Sequence, residues 1–180
     1  LNVPFCWAID ESSDLTFNEY FMEKRGFMHG LEYRTRPSSD TTGWIRADFM
    51  YDKKVNKHDD GTYGGDDLVR TNHDRYWIRG MFDTRLPDPD WRFKADLDYV
   101  SDHYFLSEFS DGFSGFKRSR NELSSLFKRE LQEKDRHRLS GFLLNRDWER
   151  VSIALSSIYK QNQYLGNGNL DRELDETVQQ

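Results

Sequence analysis

Residues 91–99 alternate between apolar and charged side chains without a break. The apolar positions are Trp91, Phe93, Ala95, Leu97 and Tyr99, and the charged positions are Arg92, Lys94, Asp96 and Asp98. Because successive side chains of a strand point to opposite faces, this pattern predicts a strand with one apolar and one charged face. Such a strand suits the wall of a membrane barrel as well as the wall of a soluble sandwich. The function therefore depends on which solvent the apolar face meets.

Similar alternation along the rest of the chain predicts further strands. The predicted strands cover residues 2–9, 15–23, 27–35, 44–51, 73–84, 91–99, 138–146 and 149–160. Segments rich in Gly, Pro, Asp and Ser separate them, as expected for turns. In one gap, Leu123, Leu126, Phe127 and Leu131 follow helical spacing and predict a short helix at about 120–132. The predicted fold class is all-β, an antiparallel up-and-down meander of about eight strands.

The links between these strands are segregated by length. In an antiparallel meander, consecutive links alternate between the two ends of the sheet. Both long gaps, residues 52–72 and 100–137, fall at the same end as the tight turn at 24–26, and the other end has only shorter links. Outer-membrane barrels show this asymmetry, with short periplasmic turns and longer external loops. The link lengths therefore favour a segment of a transmembrane barrel.

Composition excludes several classes of protein. The 180 residues have a net charge of −6 and include 32% charged and 15% aromatic side chains. The charge argues against a nucleic-acid binder, and the aromatic content argues against a disordered chain. No apolar run approaches the roughly 20 residues that a membrane helix needs. The single cysteine, Cys6, excludes an internal disulfide framework.

No group of side chains predicts catalysis or a metal site. The acidic loop that holds Asp59, Asp60, Asp66 and Asp67 lacks the spacing of a calcium-binding EF-hand. The histidines show no metal-ligand spacing. Two pairs of carboxylates, Asp96/Asp98 and Asp102/Glu108, resemble a glycosidase pair, but Arg92 and Lys94 share the face of the first pair. We therefore predict a protein that is not an enzyme, with no catalytic residue, no metal and no cofactor.

Several segments resemble motifs of one known family, in the order in which that family carries them. Residues 4–16 resemble its "PYYW-I-P-YDAT" segment, residues 23–34 its "SKRG…GGEFRY" segment and residues 99–109 its "VSDxDYFxDF" segment. Residues 74–77, 144–148 and 176–180 also fit. The family is that of the LPS-assembly protein LptD, also called organic solvent tolerance protein. The resemblance covers almost the whole chain.

The resemblance implies a fold, a location and a set of partners. The family forms a large barrel in the cell outer membrane, which receives lipopolysaccharide from a periplasmic bridge and releases it into the outer leaflet. Expected partners are lipopolysaccharide, outer-membrane lipids and an LptE-like lipoprotein plug, and no nucleic acid. Bridge proteins would act only through an N-terminal periplasmic domain that has no counterpart here. We expect residues 1–180 to be a single partial barrel domain, the N-terminal portion of the barrel without its remaining strands.

Alternate residues of each strand form two sets, which we call the polar parity and the apolar parity. The alternation and the resemblance together assign these two sets to two environments. The polar parity is expected to line the lumen, with candidates Glu32, Arg34, Arg46, Asp48, Arg79, Lys94, Asp96 and Asp98. The apolar parity is expected to face lipid, with candidates Ile45, Phe49, Phe93, Leu97, Val151, Ile153 and Leu155. Loops 52–72 and 100–137 would cover the external mouth. The alternative is a soluble β-barrel or β-sandwich that buries its apolar face and binds a small apolar ligand or a carbohydrate.

Overall fold

The computed structural model describes residues 1–55, 72–86, 90–102 and 104–162. They form one antiparallel sheet in which every strand pairs with its neighbours in the sequence. The strands are β1 (Asn2–Asp10), β2 (Ser13–Met22), β3 (Gly26–Ser38), β4 (Thr41–Tyr51), β5 (Asp74–Arg85), β6 (Arg92–Val100), β7 (His137–Asp147) and β8 (Ser152–Asn162). The predicted all-β, up-and-down meander is confirmed.

Two helices lie between β6 and β7. They are α1 (Phe105–Glu108) and α2 (Phe116–Phe127). The prediction of a helix at 120–132 was right in kind and shifted in its bounds, because Lys128 adopts a left-handed conformation (φ 58°) and ends α2 there. The amide of Lys128 bonds back to the carbonyl of Ser124, as in a helix C-cap. Neither helix has the length and apolar character that crossing a bilayer would require.

Alternation along the strands gives the sheet two chemically different faces. We call covered face the side that carries Glu32, Arg46 and Arg79, because the described residues of segment 101–136 (101, 102 and 104–136) pack on it. The opposite side is the open face, and large apolar side chains remain exposed on it. Leu31, Phe49 and Ile78 are examples, with 46%, 45% and 37% of their surface exposed. The apolar side chains of the strands therefore lie on the open face, outside the packed part of the molecule.

The packed core lies between the covered face and segment 101–136. Met28, Trp44, Met50 and Trp77 contribute from the sheet, and Phe105, Leu106, Phe116 and Leu123 contribute from the two helices. The rings of Trp77 and Phe116 stack with centroids 5.8 Å apart. The long link between β6 and β7 is thus an integral layer of the fold. It packs along the sheet. The sequence had predicted a loop at 100–137 that covers one end of the barrel, and it did not predict this packing.

The ladder between β6 and β7 is interrupted. Backbone pairing of these two strands extends only from Arg92–Asn145 to Asp96–Gly141, although both strands continue beyond that point. The Ser140 hydroxyl oxygen accepts from the Asp98 amide at 3.0 Å. The Gln161 carboxamide both accepts from the amide of Val100 (3.2 Å) and donates to its carbonyl (2.7 Å). Side chains therefore replace the missing strand-to-strand bonds.

We expect Gln161→Ala to lower the free energy of unfolding by about 1–3 kcal/mol, since it leaves the buried Val100 amide and carbonyl without their side-chain partner. Faster hydrogen exchange of the Val100 amide is the specific readout. Gln161→Glu is the matched control, because it keeps an acceptor for the amide and removes the donor. An exchange rate at Val100 that is unchanged in Gln161→Ala would contradict this role.

Candidate functional site

A row of charged residues crosses the covered face in register. Glu32 on β3 pairs with Arg46 on β4, Arg46 pairs with Arg79 on β5, and Arg79 pairs with Asp98 on β6. Residues that are directly opposite on neighbouring strands share a face, so these four side chains lie side by side. All four are buried. The strand register thus concentrates two carboxylates and two guanidinium groups under segment 101–136.

Ion pairs satisfy the charges within this row. Arg46 donates to Glu32 at 2.7 Å and to Asp48 at 3.0 Å. Arg79 donates to Asp48 Oδ2, which also accepts from Arg46 Nε at 3.0 Å. Buried charges are tolerated only when they are paired and hydrogen-bonded, and this arrangement meets that condition. Gly30 provides the space, because a Cβ there would lie 2.5 Å from Asp48 Oδ1 and 2.9 Å from Arg46 Nη2.

Segment 101–136 is attached to the row through polar contacts. Arg46 Nη2 donates to the Ser114 hydroxyl at 2.7 Å. Arg79 donates to the Ser119 hydroxyl through Nε (3.0 Å) and Nη2 (2.8 Å). The ring of Phe113 lies between the guanidinium groups of Arg46 and Arg118, at 4.4 Å and 3.7 Å from its centroid. The two arginines of the row therefore bind residues of the sheet and residues of the helical layer, and so connect the two layers.

The remaining polar candidates occupy the same face but belong to other pairs. Arg34 is half exposed and donates to Glu32. Lys94 binds Asp83 at 3.2 Å, Asp96 accepts from Arg129 at 2.7 Å, and Asp98 accepts from Arg138 at 3.1 Å. The structure therefore brings Glu32, Arg34, Arg46, Asp48 and Arg79 into one connected network. Lys94 and Asp96 lie outside that network.

A second charged cluster joins the links at the end of the sheet that carries the long gaps. We define the end cluster as Arg25, Asp52, Arg75, Asp102 and Glu108. Arg75 binds Asp102 at 2.8 Å, Asp52 at 3.1 Å and Glu108 at 3.1 Å. Arg25 binds Glu108 at 2.6 Å and also contacts Asp52. The cluster ties the β2–β3 turn, the end of β4 and the start of segment 101–136 together.

The pKa of Asp52 makes the end cluster sensitive to acid. Burial of this carboxyl acts to raise its pKa, but hydrogen bonds from Arg25 and from the Lys54 amide outweigh burial, so the pKa is lowered. A lowered pKa means that the ionised carboxylate stabilises the fold above about pH 4, the ordinary value for Asp. This contribution is lost as the pH falls through the folded-state pKa.

We therefore expect wild type and Asp52→Asn to differ most in unfolding free energy near neutral pH, and the difference to shrink below about pH 4. Urea titrations between pH 7 and pH 2 measure it. Glu11→Gln, at an exposed turn position, reports the effect of net charge alone. A difference that grows towards low pH would contradict the assignment.

The apolar candidates follow the open face. Ile45 pairs with Gly80, and Phe93 pairs with Leu144, which in turn pairs with Leu155 on β8. Ile153 and Leu155 are 49% and 58% exposed, and Phe49 is 45% exposed. Leu97 and Phe93 line a shallow apolar depression of about 480 Å³ together with Ala95 and Phe142. Val151 lies just before β8 and is exposed.

The carboxylate pairs considered for acid–base chemistry have structural partners. Asp98 accepts from Trp77 Nε1 at 3.0 Å in addition to Arg138. Asp102 and Glu108 are members of the end cluster. Residues 58–60, 66, 67 and 103 lie outside the described part of the chain, so the acidic loop that was considered and rejected as a calcium site, and His58 and His103, are not covered. Among the described residues, no group of three or more His, Cys, Asp or Glu side chains could hold a metal ion.

Sequence reasoning missed the apolar residues of the covered face. Trp44 and Trp77 lie on the charged parity, yet both are fully buried under the helical layer. The signal was available in part, because the helical spacing of Leu123, Leu126 and Phe127 predicted an amphipathic element that needs an apolar partner. The position of Trp44 and Trp77 among charged residues would have shown that this face of the sheet is the apolar partner of the helix.

The fold and its two faces define a class of protein. One open sheet with up-and-down strands, a row of paired charges on one face and exposed apolar side chains on the other matches a segment of a transmembrane β-barrel wall. A comparison with protein-family models matches residues 73–141 to LptD, LPS transport system D. Three curated relatives agree with that match. The chain is therefore similar to the LptD family, most directly over residues 73–141.

The relatives are similar to this chain at low to moderate identity. The LPS-assembly protein LptD of Yersinia enterocolitica is 30% identical over 122 residues, which cover 62% of this chain and 15% of that protein. The LPS-assembly proteins LptD of Shewanella frigidimarina and of Shewanella sp. ANA-3 are 23% and 22% identical over 135 residues, or 75% of this chain. The chain thus spans about 16% of the length of the Shewanella relatives.

Proposed function

We propose that this chain forms part of the wall of an outer-membrane barrel that assembles lipopolysaccharide into the outer leaflet. The observation that carries the proposal is the opposite character of the two faces. The open face exposes Phe17, Phe49 and Ile153, which suit contact with lipid. The covered face holds the buried charged row, which suits a polar interior. The match of residues 73–141 to the LptD family model and the names of the relatives support lipopolysaccharide as the substrate.

The proposal assigns roles to the two sets of residues. The lumen side comprises Glu32, Arg34, Arg46, Asp48, Arg79, Lys94, Asp96 and Asp98. The lipid side comprises Ile45, Phe49, Phe93, Leu97, Val151, Ile153 and Leu155. No bond is made or broken in this role, and the wall provides a hydrated path for the sugars and phosphates of lipopolysaccharide. The energy for movement is supplied by other members of the pathway.

The proposal also includes a location and partners. The chain resides in the cell outer membrane and contacts outer-membrane lipids. An LptE-like lipoprotein would plug the lumen of the assembled barrel, and periplasmic bridge proteins would deliver lipopolysaccharide through a separate periplasmic domain. Segment 101–136 supports this scheme, because it lies against the proposed lumen side and would occupy part of the lumen of the assembled barrel.

Depletion of the protein in its own cells tests the function. We expect lipopolysaccharide at the cell surface, measured with an impermeant label, to fall while total lipopolysaccharide is retained inside the cell. Re-expression of the wild-type protein is expected to restore surface labelling. Unchanged surface labelling after complete depletion would contradict the proposed function.

A further inference from the structure

A cationic pocket lies on the covered face, at the end of the sheet opposite the end cluster. We define the short-link pocket by Asp83 and Arg85 of β5, Arg92 and Lys94 of β6, and Lys128 at the end of α2. Its volume is about 320 Å³, which is within the range of small-molecule sites, about 300–1,000 Å³. Ser39, Asp40 and Thr42, from the link between β3 and β4 and the start of β4, complete the rim.

The pocket carries an excess of positive charge. Four cationic side chains line it, from β5, β6 and the C-cap of α2, against the carboxylates of Asp40 and Asp83, and one of the four, Arg85, is also paired with Asp90. Asp83 accepts from Arg92 Nε and Nη2 at 3.1 Å and 3.0 Å and binds Lys94 Nζ at 3.2 Å. These bonds leave further N–H donors on both side chains for a ligand. Among the described residues, the Lys128 ammonium has no ion-pair partner.

The arrangement favours a phosphoryl group over a smaller anion. A phosphate ester has several acceptor oxygens and up to two charges, so it can engage a guanidinium and two ammonium groups at once. Arg92 and Lys94 are 50% and 42% exposed, so binding does not require removing a fully buried partner. The carbonyl end of α2 disfavours an anion, and Lys128 at that end offsets this effect.

The pocket also has an apolar wall. Met81 of β5 and Leu126 and Phe127 of α2 lie beside the cations. A free phosphate ion would leave this wall in water, whereas a sugar ring or the first part of a hydrocarbon chain would cover it. The hydroxyls of Ser39 and Thr42 add hydrogen-bonding groups of the kind that bind sugar hydroxyls.

We propose that the short-link pocket binds the phosphorylated sugar headgroup of a glycolipid. Arg92, Lys94 and Lys128 bind the phosphoryl oxygens, Asp83 positions Arg92 and Lys94, and the wall of Met81 and Phe127 contacts the apolar part of the ligand. This assignment rests on the proposed function, because it names a place where the transported molecule would pause. The position among the short links places the pocket at the end from which a molecule coming from the periplasm would enter.

Calorimetric titration of the protein in its native assembly, purified in detergent, tests the site. The probes are a phosphorylated lipid A disaccharide, the same disaccharide after removal of its phosphates, and inorganic phosphate. We expect the phosphorylated disaccharide to bind at least about tenfold more tightly than either other probe. Equal binding of the dephosphorylated disaccharide, or of inorganic phosphate, would overturn the proposal.

Matched variants locate the binding. The double variant Arg92→Gln/Lys94→Gln is expected to weaken binding of the phosphorylated disaccharide by about tenfold or more. Lys117→Gln removes an exposed cation of α2 outside the pocket and should leave binding unchanged. Unchanged binding in the double variant, or equal weakening in Lys117→Gln, would overturn the site.

The depletion experiment separates this proposal from the proposed function. If depletion leaves surface lipopolysaccharide unchanged, the function fails whatever the pocket binds. If depletion stops delivery while the double variant binds the phosphorylated probe like wild type, only the pocket fails. Circular dichroism of the double variant checks that its strands are retained, and Lys128→Gln provides a second pocket variant that leaves both sheet residues intact.

Discussion

Replacement of Arg79 by methionine is expected to lower the free energy of unfolding by about 3–5 kcal/mol, because it breaks a buried ion pair and leaves the buried Asp48 carboxylate with one guanidinium partner instead of two. Arg79 is fully buried and donates to Asp48, to the Trp77 carbonyl and to the Ser119 hydroxyl. Its loss removes one of the two arginines that neutralise Asp48. Urea unfolding in lipid vesicles, followed by tryptophan fluorescence, measures the change.

The control for this experiment is Arg85→Met. Arg85 is exposed and pairs with the exposed Asp90 at 3.2 Å. Exposed ion pairs contribute about 0–1 kcal/mol, so this variant removes the same charge at little cost. Similar losses in Arg79→Met and Arg85→Met would show that the buried row does not support the fold in the way described.

Leu97→Arg is expected to destabilise the protein in a bilayer by about 2–4 kcal/mol, the cost of arginine on a lipid-facing strand position near the midplane. Leu97 lies on the open face, well inside β6, and pairs with Gly80. In water, a charge at a partly exposed apolar position changes stability by only about 0.5 kcal/mol. The size of the effect therefore distinguishes an open face that meets lipid from one that meets water.

Lys94→Ala is the matched control on the other face of the same strand. Lys94 is 42% exposed and, among the described residues, forms one ion pair, with Asp83, so its loss should cost less than about 1 kcal/mol. Equal costs for Leu97→Arg and Lys94→Ala in vesicles would contradict a lipid-facing open face.

Much of the sheet could be predicted from the sequence because short stretches of residues determine each strand and each turn. Strict alternation at residues 92–99 and the turn residues around Gly26 determine strand, face and link within a few positions each. The charged row follows as well, since Glu32, Arg46 and Arg79 lie on one parity of neighbouring strands. Their exact register depends on pairing across strands, which alternation alone does not determine.

The helical layer could not be predicted to the same extent. Contacts such as Arg46 with Ser114 join residues 68 positions apart, and no local pattern specifies them. The short-link pocket has the same origin, because Lys128 meets Arg92 and Lys94 only after α2 has packed on the sheet. The interrupted β6–β7 ladder was also missed, because strand propensity does not reveal where two strands separate.

Segment 101–136 has a consequence for the order in which the molecule assembles. Five of the seven strand pairs are joined by short links, and such hairpins form early because the loops that they close are short, whereas the β4–β5 and β6–β7 pairs close long loops. Ser114 and Ser119, by contrast, need β4 and β5 already aligned before they find Arg46 and Arg79. We therefore expect refolding in two kinetic phases, with the stacking of Phe116 on Trp77 in the slower one. Variants at Ser119 should slow only that second phase and leave the rate of hairpin formation unchanged.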